Sequence, residues 1–146
     1  MFEPLPVYKG RLTEFAKMVG ATFINKAVWT YDGEIKFGVF ENTASSTIRK
    51  DKKGFEQAKI IKVPCIDFAN WLSQFKKIED FIVVKMNIEG CETDVLRHLR
   101  KTGKIDWIDL LLIEWHEGKH SEKYEKEITK LKKEIKWTFW RRKTFY

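Results

Sequence analysis

The stretch VVKMNIEGCETDVLRHL, residues 83–99, sets the fold class. An apolar run stops at Asn87, and Glu89, Gly90 and Glu92 follow before a helical pattern starts. Taken with the two residues before it, FIVVKM (81–86) is a continuous apolar strand broken by one Lys, the pattern of a buried parallel strand. The helix after it, about 91–102, turns Cys91, Val95, Leu96 and Leu99 inward. Glu92 and Asp94 lie in its first turns and Arg97, Arg100 and Lys101 near its end, as its dipole favours, and Gly103 stops it. Glu89 and Glu92 have a structural explanation in helix N-terminal stabilisation, worth about 0.3–1 kcal/mol each at exposed sites. That accounts for Glu92 but not for the whole Asn-x-Glu-Gly-x-Glu cluster. Gly90 suits a tight strand-to-helix turn or a close ligand approach.

Strand-then-helix units recur on both sides of this stretch. IDWIDLLLIEW (105–115) supplies another strand, with Glu114, His116 and Glu117 at its end. KIIKVPC (59–65) reads as a short strand that Pro64 helps to end, and Asp67 caps a helix facing inward with Phe68, Trp71, Leu72 and Phe75. Nearer the start, residues 6–19 form a helix with Leu12, Phe15, Ala16 and Val19 on one face and Gly20 just past its end. TFINKAVW (22–29) is a strand. Asp32-Gly33 marks a two-residue turn that pairs it with EIKFGVF as an antiparallel hairpin. Residues 41–54 are polar and aperiodic, an exposed loop long enough to hint at function or mobility. Tyr124, Ile128, Leu131 and Ile135 form a helical stripe within 121–136, and WTFW (137–140) is a last strand.

Strands alternating with helices predict a three-layer α/β sandwich with a mostly parallel sheet. The 146 residues make one domain, whose end, 119–146, is a basic helix and a final strand. Ligands of such sheets bind at the carboxyl ends of the strands, where the polar groups after 86 and after 113 fall.

The formal charge of +7 is uneven: residues 119–146 hold ten Lys/Arg against four Glu, a net of +6, leaving +1 for the rest. The stripe within 121–136 accounts for most of this as a solvated helix face. A basic tail also attracts nucleic acid or an acidic partner, and Trp137, Trp140 and Tyr146 interleave with Arg141 and Arg142, though no recognised nucleic-acid motif is present. No apolar run approaches the roughly 20 residues of a membrane span. The N-terminus lacks the pattern of a signal peptide, so the expected compartment is the cytoplasm. Cys65 and Cys91 stand outside any CxxC motif and read as buried thiols; the three histidines form no ligand pattern, so no metal is expected.

Three segments, MFEPLPVYKGRLTEF (1–15), INKAVWTYDGEIKF (24–37) and VVKMNIEGCETDVLRHL (83–99), resemble successive blocks of the FkbM-type S-adenosylmethionine-dependent methyltransferases. IDFANWL (66–72) and LLLIEWH (110–116) match weaker blocks in the same order, so the resemblance covers roughly residues 2–117. It implies a Rossmann-like methyltransferase fold that methylates a hydroxyl of a sugar or related small molecule. By position, Glu3 takes the hydroxyl donors of the cofactor ribose, which suits a carboxylate, and the segment at Ala27 and Val28 lies near the adenine. Asn87, Glu89 and Glu92 border the methyl-transfer site, joined by Glu114 and His116. His116 is the expected base, because its ordinary pKa lies near neutrality.

Two departures from that pattern matter. The family normally carries a strand, a glycine-bearing loop and a helix ahead of FEP, whereas Met1 stands directly before it here. The expectation is an N-terminally truncated fold with a gap between two halves of its sheet and weakened cofactor binding. Self-association or a partner chain would complete such a sheet. In addition, Asn87 stands where the pattern usually has Asp, and an amide cannot accept a proton at neutral pH. The alternative expectation is a catalytically inactive methyltransferase-like module whose tail contacts nucleic acid or an acidic partner.

Overall fold

The computed structural model describes residues 1–74 and 81–135. Its elements, in chain order, are α1 (Lys9–Met18), β1 (Ala27–Trp29), β2 (Gly33–Val39), β3 (Lys59–Asp67), α2 (Phe68–Ser73), β4 (Val83–Met86), α3 (Glu92–Lys101), β5 (Leu110–Ile113) and α4 (Glu122–Glu134). Short 3-10 turns precede α1 and β5. The strands form two sheets, ordered β1-β3-β2 and β4-β5. The fold is α/β, and among the described residues two of the three strand pairings, β1 with β3 and β4 with β5, are parallel.

The expected hairpin between β1 and β2 does not form. β3 lies between them, parallel to β1 with Ala27 opposite Cys65 and antiparallel to β2 with Gly33 opposite the same residue. The local Asp32-Gly33 turn signal is real, but the longer β3 ladder pairs with both strands and separates them. Pro64 does not end β3 either. It sits opposite Glu34 one position before the β1 register begins, and the strand continues to Asp67. Asp67 then caps α2 by accepting a hydrogen bond from the Asn70 amide at 3.0 Å.

Around the second sheet lies the larger core. Val95, Leu96 and Leu99 of α3, Leu111 and Ile113 of β5, and Leu131 of α4 are all buried there, with Phe68, Ala69 and Leu72 of α2. Each of these side chains larger than alanine contributes about 1.5–3 kcal/mol of transfer free energy. The α4 stripe packs as its spacing requires, with Tyr124, Ile128, Leu131 and Ile135 all buried. Ser121 caps that helix by accepting from the Tyr124 amide.

The first sheet has a smaller core of Leu5, Ala27, Phe37, Val63 and Cys65. Here α1 departs from its amphipathic reading. Only Ala16 of its apolar face is buried, and Phe15 and Val19 are 49% and 55% exposed. β4 also differs from the buried strand its sequence suggests: Phe81 and Val83 are exposed and only Met86 is buried. Its pattern satisfies burial on both faces, but among the described residues only β5 pairs with it. Phe75 and the WTFW strand lie outside the described residues. No helix among the described residues is long and apolar enough to cross a membrane.

Candidate functional site

The turn between β4 and α3 is built from two consecutive left-handed residues. Glu89 has φ 52° and Gly90 φ 99°. A non-glycine residue in this region costs on the order of 1–3 kcal/mol and persists only where its surroundings hold it. They do so here from three directions. Thr47 Oγ1 donates to the Glu89 carbonyl at 2.6 Å, Lys52 Nζ lies 2.9 Å from Glu89 Oε2, and His116 Nε2 lies 2.8 Å from Glu89 Oε1. Burial alone would raise the Glu89 carboxyl, but the hydrogen bonds and charges of His116 and Lys52 outweigh it and hold it at about 2.

Behind Glu89 sits Glu92, the first residue of α3, with no exposed surface. Its two oxygens receive four donors. The Ile88 amide (2.9 Å) and His116 Nδ1 (3.1 Å) reach Oε1, and the Gly90 amide (2.8 Å) and the Tyr124 hydroxyl (3.1 Å) reach Oε2. Four donors fill the acceptor capacity of a carboxylate. Glu92 thus ties the turn to the end of β5 and to α4.

His116 is equally committed. Each ring nitrogen faces a carboxylate, an arrangement that needs a proton on both. Burial opposes that charge, yet hydrogen bonds and charge from Glu89 and Glu92 push its pKa up to about 9. A buried imidazolium offers no lone pair at neutral pH, so the expectation that His116 serves as a base does not fit this geometry.

The loop 41–54, expected to be exposed and long enough to hint at function or mobility, supplies much of this frame. Ser46, Thr47 and Lys52 are buried, and Thr47 adds an antiparallel bridge to Gly38 of β2. From the same loop Arg49 reaches Asp94 of α3 at 2.7 Å and Asp51 at 2.8 Å, and its guanidinium lies 4.6 Å from the centroid of the Tyr124 ring. None of Thr47, Arg49, Lys52 and Tyr124 follows from motif reading. For the first three the only sequence signal is the concentration of hydrogen-bonding residues in a loop too long to be a simple connector; the stripe of 121–136 marks Tyr124 for burial but not its hydroxyl for Glu92.

His120 closes the back of the turn. It packs against Tyr124 with centroids 4.5 Å apart, and a methyl group on Gly90 would come within 2.4 Å of its ring. Among the described residues neither ring nitrogen has a hydrogen-bond partner. Burial, aided by Arg49 and Lys52 and opposed by Asp51, lowers its pKa to about 4.

In front of Glu89 opens a cavity of about 550 Å³. Its lining includes Glu3, Ala27 and Val28 from the first part of the chain and Asn87 and Glu89 from the turn after β4. Glu3 is fixed by pairing of the preceding residue, Phe2, with Ile24, and by the Asn25 side-chain amide, which donates to its carbonyl at 2.7 Å. The Glu3 carboxylate accepts from the Leu5 amide through Oε1 alone; burial raises its pKa, the Leu5 hydrogen bond opposing. Tyr8 and Thr43, hydrogen-bonded through their hydroxyls, also line the cavity. The structure therefore brings together five of the eight sequence-derived site residues. The other three, Glu92, His116 and Glu114, do not line the cavity. Glu114 instead accepts from the Asn87 side-chain amide at 2.9 Å.

The cavity sets the Glu3 carboxylate among apolar residues, and its volume falls within the range of about 300–1,000 Å³ usual for small-molecule sites. Among the described residues no glycine lines the cavity. The family model for the methyltransferase FkbM domain matches residues 1–136 of the chain. No curated protein and no solved structure matches it.

Proposed function

The chain belongs to the FkbM methyltransferase family, and from that premise we propose that its cavity transfers a methyl group from S-adenosylmethionine to a hydroxyl of a sugar or related small molecule. One observation carries this reading: Glu3, Ala27 and Val28 line the same cavity as Asn87 and Glu89. Glu3 would hold the ribose hydroxyls through its free Oε2, and Ala27 and Val28 would lie along the adenine. The cofactor, when bound, supplies a methyl on a cationic sulfur, which keeps the carbon–sulfur electron pair as the acceptor oxygen forms its new bond.

The remaining work falls to the chain. Positioning dominates such a displacement, and the rigid Glu89 turn suits it. Glu89 accepts the hydrogen bond of the incoming hydroxyl and aims the oxygen. Held at about 2, its carboxylate is a weak base at neutral pH, so the proton passes on to water. Asn87 donates toward Glu114 and adds no charge.

Calorimetric titration of the full chain with S-adenosylhomocysteine tests this directly. Binding at millimolar concentration or tighter, lost in Glu3→Ala, is the expected result. No heat with the unaltered chain would refute it.

A second reading, a binding module without catalysis, has one observation in its favour. Among the described residues no histidine lines the cavity, and the carboxylates that line it are Glu3 and Glu89. Under that reading S-adenosylhomocysteine binds, but no tritium passes from labelled S-adenosylmethionine to a panel of simple sugars. Transfer to any of them would end it.

A further inference from the structure

Four charged side chains line the cavity: Glu3, Glu89, Arg11 and Lys26. Their surroundings divide them. Glu89 already carries two cationic partners, Lys52 and His116, both almost fully buried and both behind the cavity wall. His116 also faces Glu92, so Lys52 and His116 together balance Glu89 and Glu92 before any ligand arrives. Among the described residues Arg11 and Lys26 have no ion pair. Arg49, the other cation of this region, is committed to Asp51 and Asp94. With Glu89 neutralised from behind, the lining carries two cations without ion pairs, exposed Arg11 and half-buried Lys26, against one remaining carboxylate, Glu3.

Such an imbalance has a chemical meaning. Low-dielectric walls lined by one surplus sign concentrate ions of the opposite sign. S-adenosylmethionine, with an ammonium, a sulfonium and one carboxylate, does not supply a net negative charge. We propose that the acceptor does, its hydroxyl borne by a molecule with a phosphate or carboxylate group that Arg11 and Lys26 hold while Glu89 takes the hydroxyl. This deepens the methyl-transfer reading and rests on it. Arginine suits the bidentate geometry of both anions, and lysine adds a point charge.

The test uses the full chain and three matched probes: glucose, glucose 6-phosphate and glucuronate. Each is titrated at low salt, with and without saturating S-adenosylhomocysteine. At least one anionic sugar should bind about tenfold or more tightly than glucose, a preference that shrinks as salt is raised. Comparing phosphate with carboxylate identifies which anion the site prefers. Arg11→Gln with Lys26→Gln should erase the preference, while Lys123→Gln, on the distant α4, should keep it. Equal binding of the three sugars overturns the proposal, and so does a preference that survives the double substitution. Titrations without the nucleoside read the anion preference independently. Failure of S-adenosylhomocysteine to bind therefore counts against the methyl-transfer reading, and failure of discrimination counts against this one.

Discussion

The two halves of the molecule are held together in different ways. Around β4 and β5, three helices close over side chains with almost no exposure, and a buried Glu92–His116–Glu89–Lys52 chain is threaded through the frame. Around β1, β2 and β3, the core is smaller and α1 leaves most of its apolar side chains in water. The cavity takes one wall from each half. The half with the polar chain gives its wall a fixed geometry, and the half with the exposed helix gives its wall fewer packing restraints. Under the proposed function, positioning belongs on the first wall and accommodation on the second.

Removing Glu92 should do the most to abolish this contrast. Glu92→Ala strands His116 between one carboxylate and a void, and breaking a buried ion pair costs about 3–5 kcal/mol. Denaturant unfolding measures it; a loss under about 1 kcal/mol, the range of exposed pairs, would mean that the chain of charges is not what stiffens this half. Next comes Gly90→Ala, which combines a left-handed φ with a methyl pressed on the His120 ring, and costs about 2 kcal/mol or more. Pairing it with His120→Ala separates the two causes. The double variant should recover the crowding part and keep the backbone part, and a cycle showing no coupling would refute the contact.

The same chain of charges gives the stability a shape in pH. His116 rises from 6.5 to about 9 on folding, so its contribution is whole below 6.5 and fades as pH climbs to 9. His120 falls from 6.5 to about 4, so the unfolded chain binds its proton first and stability drops as pH falls from 6.5 to 4. Glu89, held at about 2 against 4.5, contributes above 4.5 and is lost toward 2. The melting temperature should peak near pH 6.5 and decline on both sides. His116→Gln should flatten the alkaline limb; a wild-type melting temperature that keeps rising to pH 9 would contradict the doubly donating imidazole. The smallest effect is expected in the other half, where Phe15→Ser on exposed α1 should change stability by no more than about 0.5 kcal/mol.

What the sequence made legible follows from the range of each signal. Helical stripes and caps are local, so α4 with Tyr124, Ile128 and Leu131, and the Asp67 cap of α2, stand where spacing places them. The block around Glu89 and Gly90 was readable as a strand-to-helix turn because both its period change and its glycine are local. Partner choice among strands is not local. Asp32-Gly33 looks like a hairpin turn, and only the competing β3 ladder reveals that it joins two strands on opposite sides of a third. His116 illustrates the same limit in chemistry. Its residue type suggests a base, but two carboxylates brought from α3 and its preceding turn make it a cation. Lys52 and Thr47, 37 and 42 residues from Glu89, could not be attached to it by any pattern along the chain.

The separation of the two sheets has a mechanical consequence. Among the described residues no strand is shared between the β1-β3-β2 and β4-β5 ladders, so sheet hydrogen bonding stiffens each against bending but does not brace one against the other. Shear between them is resisted by side-chain links such as Thr47 to Glu89 and Arg49 to Asp94. A molecule lodged in the cavity would act as a keystone, adding rigidity where the ladders supply none. Its binding would then show as a sharper, more cooperative unfolding transition as well as a later one.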